Sequence, residues 1–160
     1  MQNQKNSPNI KIWLIDDDEL VRSTTAQWLS LSDHEVIEFT NPLELLDKFN
    51  ENENCVIISD IRMAPIDGLT LLAKLIEKDP HVPVILITGH GDIDMAVSSL
   101  RDGAFDFLEK PFDPKRLSVT VEKAIKKRQL WLDQHYQNRY LDELEGLEEL
   151  IIGQCYPIKQ

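Results

Sequence analysis

Short apolar runs alternate with longer amphipathic stretches along most of this chain. Five runs are rich in β-branched and other apolar residues and have the length of buried strands. We predict strands near Lys11–Ile15, Glu35–Phe39, Val56–Ser59, Val84–Thr88 and Ala104–Glu109. Between them, apolar residues recur at three- and four-residue spacing, which is typical of amphipathic helices. The alternation predicts an α/β fold of the (βα)₅ kind, a doubly wound and mostly parallel sheet with helices on both faces.

Each helical stretch has one apolar face, which we expect to pack on the sheet. The predicted faces are Leu20, Thr24, Trp28 and Leu31; Leu69, Leu72, Ala73 and Ile76; Ile93, Ala96, Val97 and Leu100; and Leu117, Val121, Ala124 and Ile125. A further short helix is predicted after Asn41, which suits the N-cap, with Pro42 at the first helical position. Asp92 is the residue best placed to cap the helix that starts at Ile93.

The last helix is predicted to continue well past the fifth βα unit. After Pro114 no proline occurs before Leu150, and only Gly146 interrupts the helical pattern. An apolar stripe near coiled-coil spacing comprises Leu132, Tyr136, Tyr140, Leu144, Leu147 and Ile151. Charged or amide side chains occupy several positions where a strict seam has leucine. Both a dimer seam and a solvated single helix therefore stay open.

Composition and charge narrow the class of protein. A chain of 160 residues with 42% hydrophobic content can build one ordinary core. The 17 basic and 28 acidic residues give a net charge of −11, which argues against nucleic acid as the direct partner of this segment. No secretory signal is visible, and no apolar run approaches the roughly 18 residues of a membrane span. Cys55 and Cys155 form no C-x-x-C motif, so we expect a reducing, cytoplasmic environment.

Polar residues stand at the ends of four predicted strands. Asp16 and Asp17 follow the first strand, Asp60 follows the third, Thr88 ends the fourth, and Lys110 follows the fifth. The carboxyl ends of parallel strands meet at one edge of the sheet, where open α/β sheets bind ligands. Two carboxylates about 4 Å apart repel by about 4 kcal/mol at an effective dielectric constant of about 20, which favours a bound cation. Hard oxygen ligands favour Mg²⁺, with Mn²⁺ as a substitute.

This arrangement is suited to receiving a phosphoryl group. Asp60 is the candidate nucleophile because it stands alone in the middle of the sheet edge. Lys110 and the metal ion would neutralise the phosphoryl oxygens in the transition state. Asp17 is expected to ligate the metal directly and Asp16 directly or through water, whereas Asp18 is expected to face solvent.

Several motifs in order resemble the receiver domain of bacterial response regulators, over about residues 10–126. They are Ile15-Asp16-Asp17-Asp18, Ser59-Asp60-Ile61-Arg62-Met63, Thr88-Gly89-His90-Gly91-Asp92 and Asp102-Gly103-Ala104-Phe105-Asp106-Phe107 with Lys110-Pro111-Phe112. The resemblance implies the flavodoxin-like strand order 2-1-3-4-5. The sequence around Asp60, Thr88 and Lys110 is most similar to the nitrogen-regulation and C4-dicarboxylate-transport regulators, which activate sigma-54 polymerase.

The resemblance implies a role for each matched residue of the site. Asp60 would accept phosphate from a sensor histidine kinase. Asp16 and Asp17 would be the acidic metal residues, and the backbone carbonyl of Arg62 would be a further metal ligand beside Asp60. The expected function is a signalling switch and not an enzyme, apart from self-catalysed phosphorylation and dephosphorylation.

Three further roles follow from the same resemblance. Thr88 would be the switch hydroxyl that moves onto the phosphate, and Lys110 its ion-pair partner. Phe107 occupies the switch-aromatic position, which is often tyrosine in relatives, and the Lys110–Pro111 bond is expected to be cis. The segment Ala64-Pro65-Ile66-Asp67-Gly68 departs from the family, which usually has Pro-Gly after the methionine, so the loop path is expected to differ.

The resemblance also divides the chain. Residues 1–9 would be a disordered tail, 10–126 the receiver, 127–150 a linker helix with a possible coiled coil, and 151–160 the start of a AAA+ ATPase domain that is missing. No Walker A motif is present. We expect a homodimer, through the linker helix or through the face formed by the fourth helix, fifth strand and fifth helix, or through both.

Two other classes of function stay open at this point. Asp16-Asp17-Asp18 formally matches the D-x-D of haloacid-dehalogenase phosphatases, although Glu19-Leu20 stands where that family has Gly-Thr and Asp60 would have no role. The other alternative is a receiver-like interaction module that dimerises without phosphorylation.

Overall fold

A computed structural model describes residues 9–89 and 91–155, without the side chains of 137–140, 142 and 147–155. Most of the predicted tail and the end of the predicted ATPase lead-in therefore lie outside the described residues. The elements are β1 (Lys11–Ile15), α1 (Glu19–Leu31), β2 (Val36–Phe39), α2 (Pro42–Lys48), β3 (Cys55–Asp60), α3 (Gly68–Lys78), β4 (Val84–Thr88), α4 (Ile93–Arg101), β5 (Asp106–Glu109) and α5 (Pro114–Cys155).

The five strands form one parallel sheet in the order β2-β1-β3-β4-β5, which confirms the expected fold. β3 and β4 are buried along their whole length because helices cover both faces. The strand order reverses between β1 and β3. In their register Ile15 lies opposite Ser59, so the residues after Ile15 and Ser59 emerge side by side at the carboxyl edge of the sheet.

Two hydrophobic cores lie on opposite faces of the sheet, because successive strand side chains point to opposite sides. Ile57 belongs to the core shared with α2, α3 and α4, and Ile58 belongs to the core shared with α1 and α5. Trp13 lies in the first core, where its ring contacts Phe39 and Phe49 at centroid distances of 5.1 and 6.1 Å.

Two of the predicted helix faces are wrong at particular residues. In α1 the buried residues are Thr25, Ala26 and Leu29, whereas Leu20 and Leu31 are 76% and 77% exposed. At about 100° per residue, Leu20 and Leu31 project from the side of α1 opposite to the buried Thr25, Ala26 and Leu29. Both leucines therefore face away from the sheet.

The face of α4 is also shifted from the prediction. Ala96 and Ser99 are buried, whereas Val97 and Leu100 are exposed. The buried hydroxyl of Ser99 is satisfied because it donates to the carbonyl of Ala96 one turn earlier. A hydroxyl bonded within its own helix can face the core, which leaves the larger apolar side chains of α4 on the outside.

Helix α5 is a single long helix, as predicted, and its 42 residues continue to Cys155, past the predicted end at Leu150. Leu132 is fully buried in the second core, so its predicted place in a dimer seam is wrong. The side chains of three other predicted seam residues, Tyr140, Leu147 and Ile151, lie outside the described part. Trp131 stacks on His81 of its own domain at a centroid distance of 3.6 Å. In the described residues, no helix is long and apolar enough to cross a membrane.

Candidate functional site

Two aspartates, Asp16 and Asp17, follow the end of β1, and their side chains differ in exposure. Asp16 is buried and Asp17 is exposed. The backbone N–H of Asp18 donates to Asp16 Oδ1 at 2.9 Å, which holds the turn after the strand. Asp18 is exposed as expected, and its carboxylate also accepts from the backbone N–H groups of Leu20 and Val21. Asp18 is thus the N-cap of α1, a role that an aspartate directly before a helix could have indicated.

Four of the predicted site residues meet at this edge. One carboxylate oxygen from each of Asp16, Asp17 and Asp60 lies within 4.8 Å of the other two. Lys110 Nζ lies 3.2 Å from Asp60 Oδ2 and 3.7 Å from Asp16 Oδ2. Since Asp60 ends β3 and Lys110 follows β5, the ammonium group reaches across the end of β4 to the carboxylates.

The cluster has more negative charge than its one lysine can offset. Burial raises the pKa of the Asp16 carboxyl, the hydrogen bond from the Asp18 amide lowers it, and the nearby charge of Asp60 raises it again. Removing a carboxylate from water disfavours its ionised form unless a cation stands nearby. An all-oxygen donor set of three close carboxylates fits a hard divalent cation, so the residues present suit Mg²⁺.

The predicted switch residue Thr88 ends β4, next to the strand that ends in Asp60, but its hydroxyl makes no hydrogen bond to Asp60. Thr88 is fully buried, and its hydroxyl donates to the carbonyl of Gly89 at 3.2 Å. Phe107 is half-buried and packs against the first core. Thr88 and Glu109 are opposite each other in the β4–β5 register, and the Lys110 amide donates to the Thr88 carbonyl at 2.8 Å.

Arg62 joins the loop after β3 to the start of α4. Its guanidinium makes two bonds to Asp92, at 2.8 Å from Nε and 2.7 Å from Nη2. Asp92 is the N-cap residue of α4, as predicted, but its side chain makes no capping bond. The physical reason is that Arg62 occupies both carboxylate oxygens. This pairing holds the pKa of Asp92 below its usual value and raises the pKa of Arg62.

The loops around the site have two cis peptide bonds. The expected cis bond at Lys110–Pro111 is confirmed, and Ala64–Pro65 is also cis, in the segment that departs from the family pattern. This loop borders a cavity of about 410 Å³ that is lined by Asp17 of the acidic cluster, by the loop after β3 and by α4. The lining residues are Asp17, Ile61, Arg62, Met63, Asp67 and Met95.

These features define a receiver domain, and the chain belongs to the response regulator receiver domain family, whose pattern matches residues 12–122. The chain is 41% identical over 144 residues to the C4-dicarboxylate transport transcriptional regulatory protein DctD of Rhizobium meliloti. It is 36% identical over 147 residues to the DNA-binding transcriptional regulator NtrC of Escherichia coli. The matches cover 89% and 90% of this chain but only 31% and 30% of those regulators.

Solved structures of response regulators have a fold similar to that of this chain. The response regulator StyR has a TM-score of 0.73 at 29% identity, over 88% of this chain and 70% of that one. The receiver domain of NtrX from Brucella abortus has a TM-score of 0.64 at 33% identity, over 72% of this chain and 98% of that one. Membership of the receiver family decides against the phosphatase alternative, and Asp18, the last acid of the formal D-x-D, caps α1.

Proposed function

We propose that Asp60 is the phosphoacceptor of a two-component signalling switch and that a sensor histidine kinase supplies the phosphoryl group. The observation that supports this most is the ion pair of 3.2 Å between Lys110 Nζ and Asp60 Oδ2, within a cluster of three carboxylates. Asp60 is only 8% exposed, but it ends its strand beside the cavity after β3. A small phosphoryl donor or an inserted histidine side chain could reach such a position.

The chemistry is an in-line displacement at phosphorus. A carboxylate oxygen of Asp60 forms the new bond to phosphorus, while the bond from phosphorus to the donor atom breaks and that atom leaves with the electron pair. Lys110 stays ion-paired and faces the negative charge that spreads over the phosphoryl oxygens. The product is an acyl phosphate, which water later hydrolyses to restore the carboxylate.

Asp16, Asp17 and Asp60 would hold Mg²⁺ or Mn²⁺, with the backbone carbonyl of Arg62 as a further ligand. When bound, the ion supplies positive charge that stabilises the phosphoryl oxygens. The role of this chain is to keep three oxygen donors close together in the absence of the ion, which Lys110 assists by pairing with two of them.

The test is labelling with acetyl phosphate and Mg²⁺, followed by intact mass. The wild-type chain is expected to gain one phosphoryl group, and Asp60→Asn is expected to gain none. Asp94→Asn is the matched control, because Asp94 is an exposed carboxylate of α4 outside the cluster. Full labelling of Asp60→Asn would refute the assignment.

We propose further that phosphorylation changes an interface of the receiver. Thr88 and Phe107 would rearrange toward the phosphate, and the face of α4, β5 and α5 would change with them. This face has exposed apolar side chains at Val97 and Leu100 in α4, and α5 exposes Leu130, Leu141 and Leu144. Leu130 and Leu144 are two heptads apart and Leu141 fits the same 3.5-residue spacing, which supports self-association along the helix.

The same proposal includes the activity that the switch controls in the longer protein. The relatives are named as transcriptional regulators, and this chain spans about a third of their length. We therefore propose a cytoplasmic regulator in which the receiver and linker helix control a sigma-54-dependent ATPase and DNA-binding output. Light scattering after gel filtration, with and without beryllofluoride and Mg²⁺, is expected to show a change in molar mass. An unchanged mass would contradict the proposed interface switch.

A further inference from the structure

Arg22 of α1 reaches the end of the strand that bears the acidic residues. Its Nη1 donates to the backbone carbonyl of Asp16 at 2.8 Å, and its Nε pairs with Glu38 of β2 at 3.1 Å. The side chain of Arg22 is only 11% exposed, whereas that of Glu38 is 43% exposed. One planar guanidinium thus joins α1, β2 and the segment that follows β1.

The carbonyl that accepts from Arg22 belongs to the peptide unit between Asp16 and Asp17. The orientation of this unit sets the directions in which both carboxylates leave the backbone. The paired register of β1 with its two neighbours ends at Ile15, so the sheet does not hold this peptide unit. The Asp18 amide fixes the carboxylate of Asp16, and Arg22 fixes the carbonyl of the same residue.

This restraint matters because the three carboxylates repel one another. A site that binds a divalent cation must keep its ligands close before the ion arrives, and groups behind the ligands commonly do this. The fork of the guanidinium is suited to the task, since two of its nitrogens point to different acceptors in a fixed geometry.

We propose that Arg22 is a positioning residue of the metal site, which it prepares through the carbonyl of Asp16. This inference rests on the proposed function of the acidic cluster as a Mg²⁺-dependent phosphoacceptor site. Arg22 has no direct part in the phosphoryl transfer. Its contribution is to metal affinity, and Glu38 contributes by orienting the guanidinium.

The test is Mn²⁺ binding to the chain of residues 1–160, measured from the electron paramagnetic resonance signal of the free ion. Arg22→Met is expected to raise the dissociation constant about tenfold, the low end of the effect of residues behind metal ligands. Arg22→Lys keeps the charge but not the fork, so an intermediate value of about threefold is expected. Lys11→Met is the matched control, because it removes a β1 ion pair with Glu35 at the other end of the strand.

Phosphorylation gives a second readout that a purely structural role would not produce. Arg22→Met is expected to react slowly with acetyl phosphate at low Mg²⁺ and to recover most of the wild-type rate at saturating Mg²⁺. A rate defect that persists at saturating Mg²⁺ would overturn the proposal.

Each outcome separates this inference from the proposed function. If the wild-type chain binds no Mn²⁺, the proposed function itself fails. If the wild type binds and Arg22→Met binds within about twofold of it, Arg22 is not a positioning residue and the metal site stands. If Arg22→Met does not fold, the Mn²⁺ dissociation constant of Arg22→Lys becomes the test. A wild-type value for that variant would overturn the proposal.

Discussion

Arg128 and Asp79 form an ion pair of 2.7 Å that is closed off from solvent. The Arg128 side chain has no exposed surface and also donates twice to the backbone carbonyl of Glu53, at 3.1 and 2.9 Å. Asp79 accepts in turn from the backbone amides of Asn52 and His81. The pair fixes α5 to the loops at the amino end of the sheet, opposite the acidic cluster.

This pair makes the start of the predicted linker helix part of the domain. Arg128 and Leu132 are buried, and Trp131 stacks on His81 between them. The predicted boundary at residue 126 stays a prediction, but these contacts hold α5 against the receiver as far as Leu132, nearly two turns further. A movement of the receiver would therefore carry the start of the linker helix with it.

Removal of one partner of the pair is expected to destabilise the fold strongly. Arg128→Met leaves Asp79 buried without its cation, and the expected loss is about 3–5 kcal/mol of unfolding free energy. Urea unfolding followed by circular dichroism measures this loss. Lys11→Met removes the exposed pair with Glu35 and is expected to cost less than about 1 kcal/mol. Equal effects of the two substitutions would contradict the buried role of Arg128.

The same pair predicts a pH dependence of stability. Burial alone would raise the pKa of Asp79, but hydrogen bonds from Arg128 and from two backbone amides outweigh it and hold the pKa below its usual value. A lowered folded-state pKa stabilises the fold above the unfolded carboxyl pKa of about 3.9, and the contribution is lost as the pH falls through the folded value. The difference in unfolding free energy between wild type and Asp79→Asn is thus expected to be constant near neutral pH and to shrink below about pH 4. A difference that stays constant in acid would contradict this.

The acidic cluster is expected to stabilise the fold only when it holds a cation. In the absence of metal, Asp17→Asn should raise the unfolding free energy by about 1 kcal/mol, because one repulsive charge is removed. Mg²⁺ at about 100 times its dissociation constant should stabilise the wild type by about 2.7 kcal/mol and should stabilise the variant much less. Thermal unfolding with and without Mg²⁺ measures both effects, and Asp94→Asn should behave as wild type. An equal response of Asp17→Asn and wild type to Mg²⁺ would count against the site.

Gly68 is expected to be required for the position of Asp60. A Cβ at Gly68 would lie 2.9 Å from the Cα of Ile61 and would also collide with the backbone carbonyl of Asp60. Gly68→Ala should therefore displace the end of β3, with a loss of about 1–3 kcal/mol of stability and a slower reaction with acetyl phosphate.

Gly146 supplies the control for this substitution. It lies in α5 with nothing within 4 Å of an added Cβ, so Gly146→Ala should raise stability or leave it unchanged. If Gly68→Ala is as stable and as reactive as Gly146→Ala, the close approach to Asp60 has no functional consequence.

The sequence was sufficient to predict the sheet and the meeting of the acidic residues. Strands such as β3 and β4 are apolar throughout because they are buried on both faces, and this is visible without a structure. Once the strands are parallel, Asp16, Asp60 and Lys110 must emerge at one edge, whatever the details of the loops. The strand order itself came from the resemblance and not from the residue pattern.

Contacts between distant segments could not be predicted in the same way. Arg128 lies four residues after Ala124, on the predicted apolar face of α5, but its charge suggests a solvated residue and its partner Asp79 is 49 positions away. The missing capping bond of Asp92 has the same origin, because Arg62 is brought to its carboxylate only by the folded loops. The predicted face of α1 was wrong at Leu20 and Leu31 because the buried side of this helix includes Thr25 and Ala26, which a pattern of large apolar residues does not mark.

Mapping of the phosphorylated residue tests the central claim most directly. The chain is treated with acetyl phosphate and Mg²⁺, reduced with borohydride, which converts an aspartyl phosphate to homoserine, and digested for peptide mass spectrometry. The expected result is homoserine at position 60, with Asp16 and Asp17 unchanged. Homoserine at position 16 or 17, or a phosphoryl group on a histidine with Asp60 intact, would contradict the account.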